Sequence, residues 1–268
     1  MNNKLIITDL DGTLLDPNQK ISPENKKAIE RFKGDGGLFT FATGRMEHAV
    51  KDFVEQLNVD IPLILYNGAK IYCPISNKIL YEREYDLNMS FWEKLIELSD
   101  DQVSLLFYQN GGIYTHEKNA VTEAYEKKDS VHVKVRDDVY NEPVTKILII
   151  AEGKKLEQYE KFVQGSPFDF TLVYSESNYL EILPKGVSKG EAVKELKKIL
   201  NRPSIEAICI GDNLNDYTMV KTADKGIAVG NAHPELKDVA SEITVHHEEH
   251  AIAKVISDLV DERDPVHE

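Results

Sequence analysis

The sequence contains few cysteines and few basic residues, and it lacks long hydrophobic runs. Only Cys73 and Cys209 occur among the 268 residues, and their wide separation excludes a CxxC motif. We therefore expect two reduced cysteines that serve packing rather than a disulfide or a reactive thiol. No apolar run in the sequence approaches the roughly 20 residues that a membrane-spanning helix needs. The chain is long enough to fold around a core of its own.

Basic residues are outnumbered by acidic ones. The 32 Lys and Arg residues face 46 Asp and Glu residues, which gives a net charge of −14. Nucleic acids and anionic membranes need a basic surface, so we expect neither as a partner. A small phosphorylated metabolite remains compatible, because a local cation can reverse the field inside one cleft. No signal peptide is visible at the N-terminus, and we expect a soluble, cytoplasmic monomer or weak dimer.

Both ends of the chain alternate buried strands with amphipathic helices. The first stretch has strands near 5–8, 38–42 and 62–68, with helices after Ser22 and after Arg45. The pattern returns from Lys189, with strands 205–210 and 226–229, helices 190–200 and 249–260, and a loop and helix within 211–222. Apolar strands separated by helices are typical of a parallel sheet that is covered on both faces.

The middle of the chain has a different pattern. From about 70 to 185 most segments resemble strands, and helices are predicted only near 89–99, 117–128 and 154–164. This composition indicates an α+β unit with a largely antiparallel sheet. We therefore predict an α/β fold. A doubly wound parallel-sheet core, residues 1–82 and 186–268, is interrupted by an inserted α+β cap domain, residues 83–185.

Two carboxylates follow the first predicted strand. In "KLIITDLDGT", Asp9 and Asp11 point to the same side, because side chains alternate along a strand. Like charges this close repel, and removing either from water costs free energy. A divalent cation would stabilise the pair. A reaction that needs one ionised and one protonated carboxyl group would also explain it.

Polar groups follow the other predicted core strands as well. Ligands of open parallel sheets bind where the carboxyl ends of the strands meet. In the sequence "GDNLND" (211–216), Asp212 and Asp216 form a second acidic cluster at such an end. An oxygen-only site of this kind suits Mg²⁺ better than zinc. Asp9 would then face the cation as an ionised nucleophile, while Asp11 exchanges a proton.

A metal beside a carboxylate nucleophile indicates phosphoryl transfer. The transferred group carries negative charge on its oxygens, so donors and cations must surround it. Thr43 offers a hydroxyl group, and Gly44 offers a backbone N–H with no side chain in the way. Lys189 opens a predicted helix and adds a positive charge to the helix N-terminus.

Four segments in this order resemble the motifs of the haloacid dehalogenase (HAD) superfamily. They are "DLDGTLLD", "FATGR", "LPKGVSKG" and "GDNLNDYTM", and the sequence is most similar to the Cof-type hydrolases, which carry an α/β cap. The resemblance extends over essentially the whole chain, including "GIAVGNA" (226–232).

The resemblance implies a role for each matching position. Asp9 would be the nucleophile and Asp11 the general acid and base. Mg²⁺ would be held by Asp9, the backbone carbonyl of Asp11 and Asp212, with support from Asp216. The implied phosphate-binding residues are Thr43, Gly44, Lys189 and Asn215, and possible substrate contacts are Arg45 and Asn67.

Several of these residues also have structural interpretations. Asp212 and Asp216 could cap the next helix, Arg45 could form a structural ion pair, and Asn67 could simply occupy a turn. "HHEEH" (246–250) stands where the family often has Asn-x-x-Asp-Gly-Val. Its spacing differs from the HExxH zinc motif, so we interpret it as a mobile acidic loop with an altered surface rather than altered chemistry.

The sequence thus predicts a Mg²⁺-dependent phosphatase that acts on small phosphorylated metabolites through an aspartyl-phosphate on Asp9. A cap that closes over the site would exclude water and select the substrate. A HAD-type phosphomutase is the alternative enzyme. A phosphate-ligand sensor without turnover is the alternative from another class, and fold alone does not decide among them.

Overall fold

A computed structural model describes residues 1–261 of the chain. Residues 262–268, which the predicted core domain includes, lie outside the described residues. The chain divides into two compact units. The core unit comprises Met1–Gly44, Val50–Leu80 and the chain from Ser188, and the inserted unit comprises Arg45–Ala49 and Tyr81–Val187.

Strands and helices are numbered here in chain order. The strands are β1 (Lys4–Thr8), β2 (Leu38–Phe41), β3 (Leu63–Leu65), β4 (Lys70–Cys73), β5 (Lys78–Glu82), β6 (Ser104–Gln109), β7 (Gly112–Thr115), β8 (Val133–Val135), β9 (Lys146–Ile150), β10 (Phe170–Glu176), β11 (Tyr179–Pro184), β12 (Glu206–Gly211), β13 (Lys225–Ala228) and β14 (Glu242–Ile243). The helices are α1 (Pro23–Gly34), α2 (Glu47–Leu57), α3 (Met89–Glu97), α4 (Ala120–Asp129), α5 (Gly153–Gln164), α6 (Lys189–Ile199), α7 (Tyr217–Thr222), α8 (Pro234–Val239) and α9 (Ala251–Asp261).

The core unit is built on a five-stranded sheet in the order β14-β13-β12-β1-β2. All of its neighbouring strands run parallel. β1 lies between β12 and β2, and its residues Leu5, Ile6 and Ile7 have no exposed surface. This confirms the predicted α/β fold with a parallel core sheet. All the carboxyl ends of these strands lie on one edge.

The segment 62–68 differs from the prediction of a single strand. β3 spans only three residues and pairs antiparallel with β4, in a separate sheet ordered β3-β4-β5. Tyr66 and Asn67 have φ angles of 51° and 52°, so the chain turns there instead of extending. An isolated parallel β-bridge joins Ala42, the residue after β2, to Ile64 of β3.

The C-terminal part of the core unit contains elements that the sequence pattern did not reveal. α8 begins at Pro234 after the N-cap residue His233, and β14 has only two residues. α9 begins at Ala251 rather than at 249, because His250 has a φ of 61° and separates it from a preceding helical turn.

The inserted unit contains a six-stranded sheet in the order β10-β11-β9-β6-β7-β8. Its pairs are antiparallel except for β7 and β8. α3 and α5 pack on one face, where a buried cluster includes Trp92, Phe107, Ile149 and Tyr159. The α+β character predicted for the insertion is confirmed.

Polar side chains are concentrated on the opposite face of this sheet. Residues of α4 reach it, since the hydroxyls of Ser104 and Thr122 lie 2.8 Å apart. On the same face, Lys146 of β9 donates to Glu181 of β11 at 3.0 Å. Both side chains are only 3% exposed, so this ion pair is buried in the inserted unit.

Neither cysteine forms a disulfide. Cys209 is buried in β12 and Cys73 is half-buried in β4, and both thiols are free, as the sequence predicts. Within residues 1–261, no helix combines the length and the apolar character that crossing a membrane requires.

Lys146→Met should destabilise the inserted unit by about 3–5 kcal/mol, because it removes the ammonium group that lies 3.0 Å from the buried carboxylate of Glu181. The double variant Lys146→Met/Glu181→Leu should recover most of this free energy. Urea unfolding of the full chain measures both. Lys185→Met, which breaks an exposed pair with Asp169 in the same unit, serves as the control and should change little. Equal losses for the Lys146 and Lys185 variants would contradict the expectation.

Candidate active site

The ends of three neighbouring strands bring predicted site residues together. β1, β12 and β2 run parallel and adjacent, so Asp9, Asp212 and Thr43 follow them at one edge of the sheet. The backbone N–H of Asp9 donates to the carbonyl of Ile210 at 2.9 Å, which extends the β1–β12 ladder by one residue. Asp9 is only 5% exposed.

A buried lysine links two of the carboxylates. The Nζ atom of Lys189 lies 2.8 Å from Oδ1 of Asp9 and 2.6 Å from Oδ1 of Asp216. The side chain of Lys189 has no exposed surface. Ser188 caps helix α6 by accepting the N–H of Glu191, and this places Lys189 at the first position of the helix. Lys189 is therefore a fixed counterion inside the cluster.

Asp216 is fully buried and holds the loop that follows β12. Its Oδ2 atom accepts the backbone N–H groups of Asp212 at 2.9 Å and Asn213 at 3.2 Å. A side chain at Gly211 would put a Cβ 2.5 Å from the Asp216 carboxylate, so the loop can close this tightly only on glycine. Both oxygens of Asp216 accept hydrogen bonds, so this side chain connects the loop after β12 to Lys189.

A tight turn follows Asp9. Asp11 (φ −75°, ψ 120°) and Gly12 (φ 76°, ψ 1°) have the backbone angles of a type II turn, which requires a positive φ at its second central residue. A Cβ atom on Gly12 would lie 2.5 Å from Oδ2 of Asp212. Thr13 donates its hydroxyl to the other oxygen of Asp212 at 2.8 Å. The turn therefore packs directly against the second acidic cluster.

Burial and mutual repulsion change the pKa values in the cluster. Burial raises the pKa of Asp9 well above its usual value; Lys189 opposes this rise, and the charges of three neighbouring carboxylates add to it. Burial, followed by the charge of Asp216, raises the pKa of Asp212 to about 7. Although burial alone would lower it, the pKa of Lys189 is raised by Asp216 and Asp9. The single positive charge of Lys189 does not balance the negative charges of these carboxylates.

The cluster fits a hard divalent cation. Asp9, Asp212 and Asp216 each place a carboxylate oxygen within 4.8 Å of the others. Asp11 lies close enough for its charge to raise the pKa values of both Asp9 and Asp212. An all-oxygen donor set with excess negative charge is the chemistry that Mg²⁺ prefers. A buried acceptor, Oδ1 of Asn215, has no hydrogen-bond partner within residues 1–261 and would suit a bound donor or cation.

The structure also locates the remaining predicted site residues. Asn215 donates its side-chain amide to Oδ1 of Asn67 at 3.2 Å, so these two side chains are in contact. Asn67 is buried in the turn after β3, and its N–H donates to the carbonyl of Thr43 at 2.9 Å. Thr43 is buried and Gly44 is half-buried, directly after β2. Arg45 groups with the inserted unit, where it is half-buried.

Two contacts to the site come from residues that the sequence analysis did not single out. Thr13 binds Asp212, as described above. Asn231 donates its side-chain amide to the carbonyl of Gly12 at 2.8 Å. Asn231 lies just beyond the carboxyl end of β13, so the rule that ligand sites form at strand ends could have identified it.

The segment 246–250 forms a short turn whose histidine rings have hydrogen-bond partners. Its residues His246, His247 and Glu248 have potential metal-ligand atoms within 4.8 Å of one another. However, Nδ1 of His246 accepts the N–H of Glu248 at 3.3 Å, and Nδ1 of His247 lies 2.7 Å from the carbonyl of Leu15. These ring nitrogens already serve the turn and the neighbouring chain, whereas the sequence had suggested a mobile loop.

Comparison with known proteins identifies the family. A family model described as haloacid dehalogenase-like hydrolase matches residues 6–256. The chain belongs to this family. The match spans β1 to α9, so both the strand-end residues and the insertion lie within it. The family and the hydrolase class expected from the four motifs are confirmed.

Relatives and solved structures agree with this assignment. The phosphatase YwpJ of Bacillus subtilis (strain 168) is 29% identical, over 96% of this chain and 100% of YwpJ. The HMP-PP phosphatase of Cronobacter sakazakii is also 29% identical, over 85% of this chain and 84% of its own. A haloacid dehalogenase-like hydrolase structure from B. subtilis matches with a TM-score of 0.82 and 28% identity, over 96% of this chain and 99% of that one.

Lys189→Met should lower the free energy of unfolding by about 3–5 kcal/mol in metal-free buffer, because Asp216 loses the ammonium group 2.6 Å away while remaining buried. Lys189→Met/Asp216→Asn should recover part of that loss, since the asparagine amide carries no charge. Chemical denaturation of the two variants and the parent gives the comparison. A loss below about 1 kcal/mol for the single variant would show that Lys189 is not the counterion on which the cluster depends.

Proposed function

We propose that the chain is a Mg²⁺-dependent phosphatase of small phosphorylated metabolites. The observation that carries this proposal is the buried Lys189 ammonium held between Asp9 and Asp216, beside Asp212. The ammonium group opposes the rise in the pKa of Asp9, and together with a bound cation it would keep this carboxylate ionised for attack on a phosphate group. Membership of a hydrolase family with relatives named as phosphatases supports the same reaction.

Asp9 acts as the nucleophile in this proposal. Lys189 holds Oδ1, which leaves the second oxygen of the carboxylate to attack phosphorus in line with the leaving oxygen. The new bond joins Asp9 to phosphorus, and the bond from phosphorus to the substrate oxygen breaks. The product of this step is an aspartyl-phosphate on Asp9.

Asp11 transfers the protons. It gives its proton to the leaving oxygen, so that the alcohol departs neutral. In the second step it takes a proton from the water that attacks the aspartyl-phosphate, which releases inorganic phosphate and restores Asp9. Asp11 lies two residues beyond the nucleophile, at the first central position of the turn that Gly12 completes.

Asp9, the backbone carbonyl of Asp11 and Asp212 would hold Mg²⁺, and Asp216 would position Asp212 through its backbone N–H. When bound, Mg²⁺ supplies positive charge that lets a carboxylate and a phosphate approach each other. Thr43, Gly44 and Asn215 would donate hydrogen bonds to the phosphate oxygens. Arg45 and Asn67 remain candidates for contacts with the rest of the substrate.

In Mg²⁺, the parent should release inorganic phosphate from at least one member of a panel of sugar phosphates and other phosphate monoesters. Asp9→Asn should release none, because an amide is not a nucleophile. The amide oxygen can still accept the Lys189 hydrogen bond, so the variant should unfold at nearly the parent temperature. Phosphate release is measured with a colorimetric assay, with and without a chelator.

Each other outcome of this screen contradicts a defined part of the proposal. Full activity in chelator would remove the metal assignment, and an Asp9→Asn rate within tenfold of the parent rate would remove the nucleophile assignment. Transfer of phosphate to a second sugar without release would identify a phosphomutase. Binding without turnover across the panel would identify a sensor.

Asp11→Asn should slow the first step strongly for a sugar phosphate and mildly for nitrophenyl phosphate. A sugar alkoxide needs a proton to depart, whereas nitrophenolate departs as an anion, and general acid catalysis contributes about 10²–10⁴-fold. With nitrophenyl phosphate, the variant should give a burst near one equivalent of nitrophenol and then stall as the aspartyl-phosphate. Rapid-quench kinetics follows both steps. Equal slowing for the two substrates, with no burst, would show that Asp11 is not the acid.

A further inference from the structure

Three hydrogen bonds connect the loop after β13, the loop after β14 and the segment 10–15, which includes the turn that carries Asp11. Asn231 donates its side-chain amide to the carbonyl of Gly12 at 2.8 Å, and its Oδ1 atom accepts the N–H of His247 at 3.1 Å. The ring of His247 lies 2.7 Å, through Nδ1, from the carbonyl of Leu15. The carbonyl groups of Gly12 and Leu15 therefore both have hydrogen-bond partners outside the segment 10–15. We refer to Asn231 and His247 with these three bonds as the clamp.

The turn needs an external support. Glycine adopts positive and negative φ about equally well, so Gly12 alone does not fix the turn in the observed conformation. Within the segment, the N–H of Leu15 donates to the carbonyl of Leu10 at 2.9 Å. The carbonyl of Gly12 accepts the side-chain amide of Asn231 from outside, so this bond adds a restraint at the glycine itself.

Asn231 itself is rigidly placed. The N–H of the preceding Gly230 donates to the carbonyl of Val245 at 2.9 Å. A Cβ atom on Gly230 would lie 2.7 Å from the backbone nitrogen of His246, so the two loops pack backbone against backbone. The clamp therefore connects the turn to a fixed part of the core unit.

We propose that Asn231 is a positioning residue for proton transfer, because its bond to Gly12 holds the turn so that Asp11 meets the leaving oxygen. This inference rests on the proposed phosphatase function. In this role Asn231 acts through the backbone of the turn, at the carbonyl of Gly12. A displacement of about 1 Å at a reacting group can cost about a hundredfold in rate, so one hydrogen bond is sufficient to matter.

Three variants separate this role from general loosening of the loop. Asn231→Asp keeps an oxygen for the His247 N–H and replaces the donor to Gly12 with a repelling carboxylate oxygen. Asn231→Ala removes both contacts. Lys237→Met is the matched control, since it removes a hydrogen bond from the same loop without touching the turn.

The first measurement needs no activity. Amide hydrogen exchange of the peptide that covers residues 10–15 should be about tenfold faster in both Asn231 variants than in the parent, because a supporting hydrogen bond is lost. Lys237→Met should leave exchange in this peptide unchanged. Unchanged exchange in the Asn231 variants would overturn the clamp, whatever the enzyme hydrolyses.

The second measurement compares kcat/KM for a sugar phosphate and for nitrophenyl phosphate. Both Asn231 variants should lose at least about tenfold more with the sugar phosphate, as expected for a displaced general acid. Equal losses with the two substrates would show a merely structural role and overturn the inference. The same bias in Lys237→Met would also overturn it. The sugar phosphate is one that the parent hydrolyses in the panel, and a parent that hydrolyses no member of the panel would instead refute the proposed function, and the positioning role with it.

Discussion

The buried ammonium group of Lys189 is the interaction on which the rest of the site depends. Four carboxylates belong to the cluster, and Asp9 and Asp216 are almost completely removed from water. Burying such charges without partners would cost more free energy than a domain has available. Lys189 touches both of these carboxylates, so the site can be assembled before any ligand arrives. An excess of negative charge remains, so the cluster of Asp9, Asp212 and Asp216 could hold a metal ion.

The remaining features of the site keep this charge in place. The parallel sheet brings the ends of β1 and β12 together, and Asp216 fixes the second loop by accepting two backbone N–H groups. Glycines at 12 and 211 allow backbone to approach carboxylate more closely than any side chain would permit. Hydrogen bonds and close backbone packing, rather than separation in space, therefore oppose the repulsion among the carboxylates. A preorganised site of this kind needs little rearrangement during a reaction.

Much of this arrangement could be predicted from the sequence because strand ends carry strong local signals. An apolar run followed by Asp9 and Asp11, and another followed by Asp212 and Asp216, indicate one shared edge of a parallel sheet. Lys189 could be placed by its position at a helix start. The turn at 66–68 could not be predicted, since positive φ values at Tyr66 and Asn67 override an apolar pattern that favours a strand.

The residues that the sequence analysis missed act through single hydrogen bonds. Thr13 and Asn231 are ordinary polar residues in loops, and nothing in their local pattern shows which atom they contact. Their partners are far away in the chain: Asn231 and Gly12 are separated by 219 residues. Such contacts depend on how loops pack, which periodicity does not encode. The contacts of His246 and His247 were missed for the same reason, although the unusual composition of that segment was evident.

The central position of β1 has a consequence for the order of folding. β1 lies between β2, which follows it closely in sequence, and β12, whose Glu206 pairs with Lys4 across 202 residues. During synthesis, the apolar strand Lys4–Thr8 therefore has one open edge until the whole insertion has emerged from the ribosome. Open strand edges recruit other chains. The same chain order that gives the core unit its insertion thus exposes the strand next to Asp9 to misassembly for most of translation, and the site closes only when β12 arrives.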